Sequence, residues 1–263
     1  MSRLPALLLF LLFTHYGSAQ LKVVLKEDFS TNSNKWVTGD IANLSVKLAD
    51  GKYVIDSKMQ NTITPQILAG VDSSKDFTIG VSIKTIAING PGEYGFIFGS
   101  NKYAYYCFAA DTKGEYALYS FTDNTVHVIT PISKTPLLNQ GLNQINKLEI
   151  KHKGKHWYLV INGSVVDSTA SRRFFGPFAG VSAENINAEY DDFLITGTPV
   201  ATSGNLCTLF PLIFQSAKNN FEYIKGDPTD KVDSGIFATS VHLTEDKIPE
   251  LNLYPDINIF IRF

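Results

Sequence analysis

The chain has 263 residues, 44% of them hydrophobic and 18% charged, with a formal net charge of −2. That balance supplies ample apolar material for a globular core. It offers neither the basic footprint of a nucleic-acid binder nor a Lys/Arg cluster to hold an anionic membrane. The composition leans toward β structure, because 12 Tyr and 18 Phe stand among many Val, Ile and Thr, residues that fit a pleated, half-buried surface.

Residues 1–19 read as an export signal. Arg3 precedes the apolar run Leu7–Phe13, and the small residues Gly17 and Ala19 fit a cleavage site before Gln20. The run is far shorter than the roughly 20 residues that span a bilayer, and no later segment approaches that length. The expectation is a secreted or periplasmic protein with no stable membrane insertion after cleavage.

Beyond the leader, residues 20–199 read as short strands separated by turn signals. Phe77–Lys84 alternates apolar and polar residues, the period of a strand with one buried face. Tyr94–Gly99, Lys102–Ala110, Glu115–Phe121 and Thr125–Ile129 follow. A meander comes next: Lys147–His152 turns at Lys153-Gly154, His156–Ile161 turns at Asn162-Gly163, and Ser164–Ser168 completes it. Asn-Gly between two alternating runs is a strong hairpin signal, because both central residues of that turn need positive φ. Ala188–Gly197 reads as the last strand. Many short strands with regular turns predict an all-β, antiparallel sandwich or barrel.

The residues also carry a resemblance. Asn146–Ile150, Gly154-Lys155-His156-Trp157 and Ile161–Val166 resemble the strand, Trp-bearing strand, Asn-Gly, strand signature of laminin-G-like domains. Glu27–Ser30 with Trp36, and Tyr190–Ile195, resemble the first and last strands of the same concanavalin A-like superfamily. The resemblance implies a jelly-roll β-sandwich whose terminal strands lie side by side. It also implies a structural calcium tying those strands together, with Glu27, Asp28, Asp191 and Asp192 as candidate ligands, since calcium takes six to eight hard oxygens. The plainer alternative for these acids is turn capping or pairing with Lys.

Enzymes of that superfamily set two catalytic carboxylates on one strand in a Glu-x-Asp-x-x-Glu pattern, which alternation aims into one cleft. The chain has no such pattern. Glu93, Asp111, Glu115 and Glu149 are scattered, and an acid pair assembled from separate strands is left open. No G-x-S-x-G elbow or H-E-x-x-H helix occurs. His152 and His156, flanking a hairpin turn, read as solvent-facing.

The most suggestive feature is aromatic. Tyr94, Tyr103, Tyr105, Tyr106, Tyr116 and Tyr119 crowd three successive strands, and their rings are candidate platforms for a glycan or polysaccharide. Alternation sends Tyr103, Tyr105 and Cys107 one way and Tyr106 and Phe108 the other. Phe96, Phe98, Phe108 and Trp157 read as core, and Trp36 as a seal at the end of the sandwich. Cys107 reads as a small strand hydrophobe, rather than a disulfide partner of Cys207.

Residues 200–205 read as a linker. Leu206–Ala217 carries a helical stripe that opens a small or truncated α+β module over 206–263. Some 60 residues rarely make an independent core, which suggests docking on the sandwich. The expected function is a non-catalytic glycan-binding module. The alternatives are a hydrolase with an atypical acid pair, or a structural sandwich with a protein partner.

Overall fold

The structure, a computed structural model, describes residues 21–60, 63–101 and 103–200, together with two further backbone strands. In chain order the strands are β1 (Lys22–Glu27), β2 (Gly39–Ile41), β3 (Leu44–Ala49), β4 (Lys52–Ser57), β5 (Ile63–Thr64) and β6 (Gln66–Leu68). Then come β7 (Phe77–Ile88), β8 (Tyr94–Ser100), β9 (Tyr105–Ala110), β10 (Glu115–Thr122), β11 (Thr125–Lys134) and β12 (Ile145–Lys153). The set closes with β13 (His156–Ile161), β14 (Ser164–Ala170), β15 (Phe178–Ala183), β16 (Ile186–Gly197), β17 (Ile213–Gln215) and β18 (Ile261–Arg262). The leader (1–19), most of the linker, Cys207 and the expected α+β module lie outside the described residues, apart from the backbone of β17 and β18.

Two antiparallel sheets face each other. The first runs β14-β13-β12-β7-β16-β4-β3-β2, with β1 along the second half of β16. The second runs β11-β10-β9-β8-β15, and both β5 and β6 pair with β15. The all-β sandwich expected from the alternating runs is therefore what the described residues form. β1 and β16 pair as the resemblance implies, although β1 ends at Glu27, where the sequence reading begins the first strand.

Local chemistry explains the hairpins. Asn162 and Gly163 take φ of 49° and 85° between β13 and β14, the mirror-image turn that matches strand twist. Asp50-Gly51 (φ 52° and 68°) and Asp123-Asn124 (φ 51° and 60°) close β3–β4 and β10–β11 in the same way. Asp192, at φ 50°, sits in the bulge that lets β16 change partner from β4 to β1.

The core fills the space between the sheets. Ile79, Val81, Leu148, Ile150, Trp157 and Leu159 of the first sheet meet Phe96, Phe98, Tyr106 and Phe108 of the second. Trp157 packs edge-on against Tyr106 and Phe98, at centroid distances of 4.9 and 5.2 Å. Such ring pairs add about 0.5–1.5 kcal/mol each beyond the area they bury. At one end, Trp36 packs on Phe29, Tyr53 and Phe193, the sealing role anticipated for it. His152 departs from expectation. It is buried, with Nδ1 2.7 Å from the Lys75 carbonyl and its ring on Phe77, because β12 continues past it before the turn.

Candidate functional site

The site is built by alternation on the second sheet. Tyr94, Phe96 and Phe98 of β8, Tyr106 and Phe108 of β9, and Tyr116 and Leu118 of β10 point inward to the core. The alternate positions must then point outward. Ile97, Tyr105, Cys107, Ala109, Tyr119 and Phe121 form a second apolar cluster there, separate from the first. Strand register sets these residues in rows across the sheet. One row runs Gln66, Gly180, Ile97, Cys107, Tyr119 and Val128. Beside it, Tyr105, Phe121 and Val126 make another, with Tyr105 stacked on Phe121 at 5.3 Å. A third row has small side chains only: Ser182, Gly95, Ala109 and Ala117. The result is a low floor beside an aromatic wall.

Polar groups of unusual character sit on this face. Gln66 is 1% exposed, and neither its amide nitrogen nor its amide oxygen has a partner. Leaving a buried polar group unsatisfied costs about 1–3 kcal/mol, so its retention calls for a reason. Cys107 Sγ lies 3.6 Å from Ser182 Oγ, and burial pushes the thiol up to about 12, with Glu93 adding to the rise. Tyr119 donates its hydroxyl to a carboxylate oxygen of Glu93. One position beyond the Ala183–Tyr94 pair, Glu184 and Glu93 stand opposite each other, the Glu184 N–H donating to the Glu93 carbonyl at 2.9 Å. Burial raises the Glu93 carboxyl to about 7, and the charges of Glu184 and Asp111 push in the same direction against the Tyr119 hydrogen bond.

The six candidate tyrosines separate by parity. Tyr94, Tyr106 and Tyr116 face the core, so they are corrected to structural residues. Tyr94 accepts a hydrogen bond from Asn146, while Tyr106 and Tyr116 donate to the carbonyls of Arg173 and Val166. Tyr103 is exposed, but in the loop before β9, where Asn101 accepts from its backbone N–H; the strand begins three residues later than expected. Only Tyr105 and Tyr119 share the outer face, and Phe121 joins them. Gln66 was missed because β6 has three residues, too few to show a period.

The four candidate calcium ligands do not converge. Glu27 is buried and accepts from Phe29 N–H, Asn34 and the Trp36 indole, which uses both its oxygens. Asp28 is spent on a turn with Ser30, which holds its carboxyl below the usual range. Asp191 pairs with Lys52 on the outer face of the first sheet, and Asp192 N–H donates to Asp191. Among the described residues no group of three or more His, Cys, Asp or Glu could hold a metal ion. Turn contacts describe Glu27 and Asp28, and Lys pairing describes Asp191, the plainer alternative for those three acids.

No family model matches the chain, and no curated protein matches it. Solved structures to which it is similar include the carbohydrate binding module CBM66 from Bacillus subtilis, at 16% identity and TM-score 0.42, covering 68% of this chain and 98% of that one. A Bacillus licheniformis beta-glucanase follows at 9% identity and TM-score 0.47, covering 67% and 98%. A Bacillus subtilis protein of unknown function with a galectin-like fold stands at 11% identity and TM-score 0.46, covering 66% and 96%. At such distances the reading of the site rests on this chain's own residues.

Proposed function

We propose that this protein is a secreted, non-catalytic binding module for a glycan or polysaccharide, with the ligand on the outer face of the second sheet. The observation that carries the reading is Gln66. Its amide is buried without any partner, in one row with Tyr119 and one row from the stacked Tyr105–Phe121 pair. An amide offers a donor and an acceptor together, which suits the hydroxyls of a sugar ring. Aromatic faces suit its apolar C–H surface, and the Gly95–Ala109–Ala117 floor leaves room for it.

A second reading has its own support. Glu93 and Glu184 stand opposite each other just beyond the paired ends of β8 and β15, the kind of cross-strand placement of two acids that the linear sequence left open. With its proton held to about 7, Glu93 has the character of a general acid. The test is one experiment with two readouts. Full chain is incubated with soluble β-glucan, fructan, xylan and mannan and their insoluble forms, and both capture and released reducing sugar are measured. Capture without release supports the module. Release abolished by Glu93→Gln would overturn it in favour of the hydrolase, and neither signal would leave a protein-docking sandwich.

A further inference from the structure

The fold gathers cations that the sequence keeps apart. At the end of the sandwich where β6 leads to β7 and β14 to β15, the chain crosses between the sheets. Three segments lie side by side there: the β6–β7 loop with Lys75, the β12–β13 turn with Lys153 and Lys155, and the β14–β15 loop with Arg172 and Arg173. Hydrogen bonds fix that order. The Lys75 carbonyl lies 2.7 Å from His152 Nδ1, and the Gly154 N–H donates to Asp76 at 3.0 Å. Across the turn, His156 pairs with Ala170, and the Ser171 N–H donates to the Lys155 carbonyl at 2.9 Å. All five cations are exposed, and no carboxylate among the described residues forms an ion pair with any of them. We propose that this end of the sandwich binds an acidic polysaccharide, its anionic groups taken by Lys153, Lys155, Arg172 and Arg173.

Three observations favour that ligand. First, the end is locally basic in a chain whose formal net charge is −2. The acids on the same segments are Asp72 and Asp76, and both are engaged locally: Asp72 accepts from the Ser74 N–H and hydroxyl, and Asp76 from Gly154. Second, the arginine segment is held in place. Arg172 Nη1 donates to Thr169 Oγ1 and the Ala170 carbonyl, and the Arg173 carbonyl accepts from the Tyr106 hydroxyl at 3.0 Å. Phe174 and Phe175 pack on Phe77 and Tyr106, at centroid distances of 5.3 and 4.6 Å. A backbone fixed in advance costs less to order on binding, and the guanidinium fork suits planar anionic groups. Third, the surroundings fit a polysaccharide better than a nucleic acid or a membrane. On the outer face of the first sheet Lys52, Lys84, Lys147 and Lys151 are paired with acids, so the patch does not run on along that face as a basic track for a phosphate backbone. None of the exposed large apolar side chains belongs to the three segments, so nothing on them would insert below lipid headgroups. The inference takes from the functional reading only the carbohydrate class of the ligand, and its surface is separate from the face that carries Gln66.

The test passes the full chain over immobilised polygalacturonate and dextran sulfate, with methyl-esterified polygalacturonate and plain dextran as neutral controls. Capture by at least one acidic polymer and by neither control is expected. Salt should release it, because exposed charges are screened beyond a Debye length of about 8–10 Å. The variant Lys155→Gln/Arg172→Gln/Arg173→Gln should lose capture about tenfold or more, whereas Lys155→Arg/Arg172→Lys/Arg173→Lys keeps most of it, both with native melting. No capture, equal capture by the neutral controls, or equal behaviour of the two triple variants would each overturn the proposal. So would tighter binding to phosphatidylglycerol vesicles or duplex DNA than to the acidic polymers. Acidic capture that survives Gln66→Leu, with no capture of neutral glycans, would leave this inference standing and remove the Gln66 face as a glycan site. Neutral capture alone would do the reverse.

Discussion

The sandwich has two outer faces, and they obey different rules. On the first sheet the outward positions are charged and paired: Lys84 with Glu189, Lys52 with Asp191, and Lys147 and Lys151 with Glu149. On the second sheet the outward positions are Ile97, Tyr105, Cys107, Tyr119 and Phe121. The strands differ accordingly. β7 alternates buried and half-buried residues over much of its length, as a strand with one wet face does, whereas every residue of β8 and β9 is buried. A two-layer sandwich buries one face of each sheet, so an antiparallel strand that is apolar at both parities sets this outer face apart from an ordinary wet one.

The sharpest way to break this comparison is a cavity on the apolar face. Ile97→Ala is expected to cost about 2–5 kcal/mol in denaturant unfolding, as for a core residue. A loss below about 1 kcal/mol would make the face an ordinary wet surface. A pH series on Glu93 comes next. Its carboxyl is raised from 4.5 to about 7, so the folded state holds a proton that the unfolded chain has released between those values. The stability linked to that proton is full below 4.5, falls as pH rises, and is gone above about 7. Glu93→Gln should flatten that fall in thermal melts, and an unchanged slope would remove Glu93 as its source.

Gln66→Leu sharpens the contrast further. Replacing an unpartnered buried amide with an apolar side chain should raise stability by about 1 kcal/mol while weakening glycan capture. Lys84→Ala on the charged face should shift unfolding by less than about 1 kcal/mol, because half-exposed ion pairs contribute little. Smallest of all, a chelator should leave the melting temperature unchanged, since Glu27, Asp28 and Asp191 are already satisfied by protein donors.

Much of the fold was legible because its signals are local. The Asn162-Gly163 turn, the alternation of Phe77–Lys84 and the opposite faces of Tyr105 and Tyr106 can each be read within a few residues. The hairpin of β3 and β4 carried an equally local sign, Asp50-Gly51 between alternating runs, and passed unread. The site was less legible for a physical reason. Which face of a strand is inward depends on the partner sheet; parity divided the tyrosines, and the core reading of Phe108 was not carried over to Tyr106, which shares its face. Gln66 and the Glu93–Glu184 positions come to one sheet through β15, a register that no linear spacing records. The calcium expectation came from the likeness of the terminal strands alone; the strands do pair, but local turns and Lys52 take the carboxylates.

If the apolar outer face meets the ligand and the charged one does not, substitutions on the two faces must separate in a binding assay. The most direct measurement compares capture of the full chain on one polysaccharide with that of Gln66→Leu and Lys84→Ala, all checked for native melting. A tenfold or greater loss, about 1.4 kcal/mol or more, is expected for Gln66→Leu and none for Lys84→Ala. Equal losses, or a loss with Lys84→Ala alone, would contradict it.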